Sequence, residues 1–362
     1  MKVALLHYWL TNIRGGEKVF LELCKIFPDA DIFTHVISAD IKKKYFQKHK
    51  VYSSFISKLP FAQKLYKNYM PLMFKAARGF NLEKYDLIIS SESGPIKGIK
   101  KPSKAKHICY CHTPVRYVWD MFDDYYKFAP FYKKLAMRLL KIYLRKQDLL
   151  SAKSVDVFIV NSNFVKERVQ RIYSRNAQVI YPPVNIKLFQ RKTSDNQSDY
   201  YLMAGELVKY KRPDITIEAF NSSGRELVIS GIGEDLNFLK SIAKENITFR
   251  GRVSDEELRD LYSNAQALIF PGIEDFGIVP LEAQATGTPV IAYAAGGVLE
   301  TVIDRETGLL FHEQTSESLN EAINKFENLE TTFEPGKIKL HVQNFSGERF
   351  HNEFSSLCNT FH

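Results

Sequence analysis

Short apolar runs alternate along this chain with stretches of helical spacing, and glycine, proline or polar turns separate them. In the first half, runs at 2–8, 31–37, 85–90, 106–111 and 155–161 predict strands, and 18–27 predicts an amphipathic helix. Ser162 and Asn163 read as the cap of a helix to 173, and a strand at 178–181 stops at Pro182 and Pro183. The polar stretch 190–199 that follows has the composition of a hinge or linker. The second half repeats the pattern more cleanly, with strands at 200–204, 226–230, 247–249, 267–270, 289–293 and 307–311. Each strand of this half ends in a glycine, proline or basic turn. Pro213 suits the first turn of a helix to 220, and Ser254 with Glu257 reads as a capping box. Strands that alternate with helices predict parallel sheets covered on both faces. The fold class is therefore α/β, with two Rossmann-like parallel-sheet domains facing each other across a cleft. The expected domains are 1–185 and 186–345, and 346–362 carries an amphipathic helix with Phe350, Phe354 and Leu357 on one side.

A length of 362 residues suits two such domains. There is no apolar run long enough to span a bilayer, and the N-terminus reads as a first strand rather than a signal peptide. Those two readings predict a cytosolic chain, and the four cysteines, forming neither a disulfide framework nor a metal motif, predict reduced thiols.

Charge changes the picture more than composition does. Residues 1–190 hold 34 Lys and Arg against 14 Asp and Glu, whereas the remainder holds 16 against 27. The stretch 41–82 carries ten basic residues and no acid, interleaved with Tyr45, Phe46, Phe55, Phe61, Tyr66, Tyr69, Phe74 and Phe80. A second block, 126–146, carries seven basic residues and again no acid. Basic and aromatic residues in this mixture fit a surface resting on anionic lipid, a solvated face, or nucleic acid. No nucleic-acid-binding signature accompanies them, and a membrane surface is the expectation.

The candidate chemistry gathers where strands end. Glu274 lies in the loop after the strand at 267–270, and Glu282 lies on the helix that follows Gly277. Free N–H groups at a helix start suit a phosphate, and carboxylates accept hydrogen bonds from hydroxyls, so this stretch suits a sugar nucleotide. The alternatives are a solvated loop residue for Glu274 and an ordinary helix-surface charge for Glu282. Gly15 and Gly16 sit in the loop between the first strand and first helix, where backbone can approach a phosphate. His112 follows the strand 106–111, at the carboxyl end where open parallel sheets place ligands, the alternative being a packed or capping histidine.

With these residues assembled, the chain resembles the retaining glycosyltransferases of the GT-B fold, family four, also called group 1. The likeness covers nearly the whole chain. It is strongest around Pro271 to Glu282, which matches the family's pair of glutamates with seven residues between them, followed by Gly287, Thr288 and Pro289 and by Gly296 and Gly297. The resemblance implies that Lys211 neutralises the donor diphosphate, assisted by Lys209 or Arg212. It implies that Glu274 holds sugar hydroxyls, that the N–H groups of Phe276, Gly277 and Ile278 meet the phosphate, and that Glu282 holds the ribose. It places His112 near the transferred sugar, Gly15 and Gly16 beside the diphosphate, and Gly231, Gly233, Arg252 and Val253 around the base. It also implies that the terminal helix crosses back to the first domain. The chain departs from the pattern at Glu206, where the family often has Arg; Arg212 or Arg14 would then supply the missing charge. The family needs no metal, and Asp123 and Asp124 read as surface residues. The subfamily likeness is to bacterial mannosyltransferases of O-antigen, capsule or lipopolysaccharide assembly. It implies GDP-mannose as donor, with a UDP-sugar as the alternative, a lipid-linked glycan as acceptor, and a place on the inner face of the cytoplasmic membrane; the remote alternatives are a sugar-nucleotide epimerase or phosphorylase and a non-catalytic binding protein of the same fold.

Overall fold

The computed structural model divides into two compact units, Met1–Pro182 with Phe350–His362, and Pro183–Arg349. It describes residues 1–361 apart from 121, 123–125, 127–130, 191–198 and 330–332, and gives the backbone alone for 131–133, 135 and 136. Asp123, Asp124 and most of the polar stretch 190–199 lie outside the described residues. The division falls after Pro182 rather than at 185 for a local reason. The Val184 N–H donates to the Phe345 carbonyl at 2.9 Å, and Val184 pairs with Ser346, which ties this segment into the second unit.

The first unit is built on a parallel sheet of seven strands in the order β3-β2-β1-β4-β5-β6-β7. These are Val3–His7 (β1), Asp31–Thr34 (β2), Val51–Ser53 (β3), Leu87–Glu92 (β4), Lys106–Cys111 (β5), Val157–Val160 (β6) and Ala177–Val179 (β7). Side chains alternate across the sheet as the strand period requires. Leu5, Ile89, Ile108 and Ile159 join Phe20 and Leu23 of helix Gly15–Ile26 on one face. Ala4, Leu6 and Ile88 pack on the other against Met73, Ala76 and Ala77 of helix Met70–Arg78. The terminal helix Gly347–Asn359 places Phe350, Phe354 and Cys358 in the first of these clusters, so the end of the chain helps close this unit.

The basic stretch holds one strand that the sequence pattern does not predict, and its aromatic residues do not all lie on a surface. Val51–Ser53 is an edge strand inside the basic stretch, too short and too exposed to show an apolar period. Phe46 and Phe74 of that stretch are fully buried, so part of its aromatic content serves the core rather than a surface. All four cysteines are buried free thiols.

The second unit carries a parallel sheet of six strands in the order β10-β9-β8-β11-β12-β13. They are Tyr200–Ala204 (β8), Glu226–Ser230 (β9), Ile247–Gly251 (β10), Leu268–Phe270 (β11), Val290–Tyr293 (β12) and Gly308–Phe311 (β13). Helix Pro213–Ser223 buries Ile215, Ala219 and Phe220, and helix Ser316–Glu327 buries Leu319 and Ile323, in one cluster with Met203, Ile229 and Ile269. The Ser254 hydroxyl accepts the Glu257 N–H, so the acceptor half of the expected capping box is made.

In each sheet the winding reverses beside the first strand, between β1 and β4 and between β8 and β11. Open parallel sheets hold ligands at the carboxyl ends of the strands at such a reversal. The loops that leave β8 and β11 contain Lys211 and Glu274. Near the ends of β1, β4 and β5 stand Gly15, Ser91 and His112.

Candidate functional site

In the second unit, Lys211 Nζ and Glu274 Oε1 form an ion pair at 2.7 Å, with side chains 16% and 18% exposed. Burial alone would lower the Lys211 ammonium, but Glu274, then Tyr210 and Glu206, outweigh it and hold it above its ordinary value. Lys211 is therefore a fixed cation. Glu206 is exposed on the same loop and acts on Lys211 rather than on an anion.

The geometry of the loops depends on missing side chains. Gly272 lies so close to the Lys211 backbone that a Cβ would stand 2.7 Å from Lys211 Cα. The Glu274 loop is pinned in turn, because its carbonyl accepts the Gly297 N–H at 2.8 Å and Glu274 pairs with Gly296. Gly231 and Gly233 let the loop after β9 rest on the loop after β8. A Cβ at Gly231 would collide with the Gly205 carbonyl oxygen, and one at Gly233 with the Leu207 oxygen. Close packing explains these two glycines without any ligand.

Helix Ile278–Thr286 begins at Gly277, whose φ of 97° favours glycine, and no side chain caps it and no acid stands in its first turn. Its N-terminus therefore keeps a positive end for an anion. Phe276 contributes backbone there, since its buried ring packs on Phe345 with centroids 5.8 Å apart. Glu282 is 7% exposed and its Oε2 accepts the Tyr262 hydroxyl at 3.5 Å, so it is not a helix-surface charge.

The remaining basic candidates are placed differently. The Arg212 guanidinium is held by both Asp214 oxygens at 2.8 to 3.1 Å, which raises its pKa further and spends its charge locally. Lys209 and Arg252 are exposed, and Arg252 and Val253 follow β10 at the sheet edge.

In the first unit, Gly15 and Gly16 are the first residues of helix Gly15–Ile26 rather than a loop. This helix start is capped, unlike that of helix Ile278–Thr286: Glu17 Oε2 accepts the Arg14 N–H at 3.0 Å and places an acid in the first turn. Gly16 also leaves room for His112: a Cβ would stand 3.3 Å from His112 Nε2. His112 Nε2 is 2.9 Å from Ser91 Oγ, and the His112 backbone N–H donates to the Glu92 carbonyl at 2.8 Å. Ser91 carries no motif, and only the register of β4 against β5 brings it here. Beside this group, His7 Nε2 lies 3.6 Å from Glu17 Oε1. Burial alone would raise the Glu17 carboxyl, yet the His7 contact and the local amides carry it below its ordinary value.

Burial, with His7 adding to it, pushes the His112 imidazole down to about 3. Burial likewise pushes His35 down to about 3 and His107 to about 4, the latter against the opposing pull of the Ser154 carbonyl and Asp156. All three are neutral near pH 7. Below the ordinary value of 6.5 the unfolded chain binds protons that the folded chain refuses, so stability falls as pH falls towards these depressed values. The chemical-denaturation midpoint of the first unit should therefore drop on acidification, and less steeply in His107→Gln. Equal slopes for the two proteins would contradict the assignment.

Two parallel α/β units, one with a helix start suited to an anion beside a buried carboxylate, are the arrangement whose class comparison with known proteins gives. Residues 13–188 match the family model Glycosyltransferase Family 4, and residues 184–337 match Glycosyl transferases group 1. The chain belongs to this family of glycosyltransferases. It is 27% identical over 320 residues to the O-antigen chain mannosyltransferase RfbU of Salmonella typhimurium, covering 83% of this chain and 89% of that protein. It is also 27% identical to the alpha-1,3/1,6-mannosyltransferase ALG2 of Dictyostelium discoideum, over 69% of this chain and 68% of that one. The structure of Anabaena Alr3699/HepE in complex with UDP superposes with a TM-score of 0.74 at 17% identity, over 99% of this chain and 100% of that one. The fold is thus the GT-B type.

Proposed function

We propose that the chain transfers mannose from GDP-mannose, with retention of configuration, to a lipid-linked glycan. The observation that carries the reading is the Lys211–Glu274 pair at 2.7 Å beside the uncapped start of helix Ile278–Thr286. As the bond between the anomeric carbon and phosphate breaks, negative charge grows on the diphosphate. Lys211 and the N–H groups of Phe276, Gly277 and Ile278 are fixed positive groups that favour that change. Glu274 holds sugar hydroxyls, and Glu282 takes the ribose. His112, kept neutral, offers a hydrogen bond to the transferred sugar without adding charge.

Glu274 is committed to Lys211, which fits a hydroxyl acceptor better than a covalent nucleophile. The acceptor oxygen then attacks from the face the diphosphate leaves, and its proton passes to a phosphate oxygen. No step of this route passes through a metal. The mannosyltransferase relatives support mannose, and the O-antigen relative supports a glycan acceptor. The UDP complex of the Anabaena structure supports the second reading, a UDP-sugar donor.

The basic first unit supports a position against anionic membrane, and no helix among the described residues is long and apolar enough to cross one. The reaction is tested by incubating the chain and chelator with GDP-mannose or UDP-glucose and a lipid-linked glycan extract, then assigning the product anomer by NMR. Transfer from GDP-mannose with retention is expected. Inversion of the anomer, or transfer from the UDP-sugar alone, would remove the proposed mechanism or donor.

A further inference from the structure

Over residues 139–150, helix Phe131–Ala152 is covered on one side and bare on the other. Leu144 and Asp148 point inward, whereas Leu139, Ile142, Tyr143, Lys146, Leu149 and Leu150 recur at helical spacing on the exposed side. Leu139 is 64% exposed and Ile142 68%. The Tyr143 hydroxyl donates to the Pro71 carbonyl at 3.2 Å, which brings the neighbouring helix Met70–Arg78 and its exposed Leu72 alongside. A run of bare apolar side chains of this extent marks a surface that meets something apolar.

At the end of the stripe is a depression of about 540 Å³ lined by Lys146, Leu149, Leu150, Lys153, Tyr173 and Arg175. No carboxylate lines it. Two acids adjacent in sequence to this lining are engaged elsewhere: Asp148 is buried on Lys97, and Asp156 pairs with Lys101. Arg175 donates to the carbonyls of Val155 and Asp156 at 2.9 and 3.0 Å, which fixes a guanidinium just beyond the carbonyl end of the helix. Lys146 and Lys153 have no ion-pair partner among the described residues.

We propose that this depression and stripe form a headgroup site for anionic lipid in a bilayer. The cations take a lipid phosphate while Leu139, Ile142, Leu149 and Leu150 enter the acyl boundary, and the lysine stems lie along the same apolar surface. Charge complementarity selects this occupant: a neutral protein partner would leave three cations facing one pocket unmatched. The site rests on the membrane position proposed above and gives it a definite location, and it stands apart from the choice of donor.

The test is co-sedimentation with phosphatidylglycerol–phosphatidylcholine vesicles and with phosphatidylcholine vesicles alone. The wild type should bind the anionic vesicles only. At about 1 kcal/mol per basic residue, Lys146→Gln with Lys153→Gln should bind about thirtyfold more weakly. Leu139→Ser with Ile142→Ser should also weaken binding, and all proteins should keep the wild-type melting temperature and nucleotide-induced shift. Wild-type binding by either double variant, equal binding to neutral vesicles, or release by added inorganic phosphate would overturn the proposal. Failure to bind any vesicle would overturn it too, while the nucleotide shift reports on the donor reading separately.

Discussion

Glu274→Ala is expected to lower turnover by about three orders of magnitude while the chain stays folded. The side chain is mostly covered and its partner is a single lysine, so its loss costs about 1–3 kcal/mol, short of unfolding the unit. The loop keeps its shape because backbone holds it, through the Gly297 N–H and the pairing with Gly296. The substitution therefore removes a hydroxyl acceptor and frees Lys211 without moving the helix start. Steady-state rates beside a thermal melt separate the two effects. A variant with near-normal turnover would defeat the assignment, and an unfolded one would show that the pair is structural.

The steepest loss of stability is expected in the first unit, at Lys97. Its side chain is fully buried, with Nζ 2.8 Å from Glu92 Oε1 and 2.7 Å from Asp148 Oδ1. Trp119 and Tyr173 both donate to Asp148 Oδ2 at 2.8 Å. Burial would lower the lysine, but the two carboxylates outweigh it and hold it well above its ordinary value, whereas burial wins at Glu92 and raises it. Lys97→Ala leaves two carboxylates in the interior without a cation and should cost about 3–5 kcal/mol of unfolding free energy. Adding Glu92→Gln and Asp148→Asn removes the stranded charges and should recover much of that loss. The Glu92 carbonyl accepts the His112 backbone N–H, so the single variant should also loosen the imidazole. Denaturant melts of the single and triple variants check this, and a single variant as stable as the wild type would contradict it.

The second sheet is easier to read from sequence than the first. Each of its strands is a short apolar run closed by a glycine, proline or basic turn, and both signals are local. The first sheet hides β3 in a basic stretch, where an edge strand needs no apolar period. The glutamate pair is visible by spacing, and Gly296 and Gly297 by their turn. Spacing does not tell whether Glu282 faces solvent or core, because helix Ile278–Thr286 is buried nearly all round and has no polar face to orient it. Nor does it show Arg212 tied to Asp214, or Ser91 against His112, since both depend on rotamer and register. The network around Lys97 leaves no signal either, as Lys97 and Asp148 are 51 residues apart.

Lys211, Glu274 and the start of helix Ile278–Thr286 are expected to bind a guanine sugar nucleotide. The decisive measurement is thermal stabilisation by GDP, GDP-mannose, UDP, UDP-glucose and UDP-N-acetylglucosamine, without added metal. A rise in melting temperature confined to GDP and GDP-mannose, and lost in Lys211→Ala, is the predicted result. A rise confined to the uracil nucleotides, or one that survives Lys211→Ala unchanged, would contradict it.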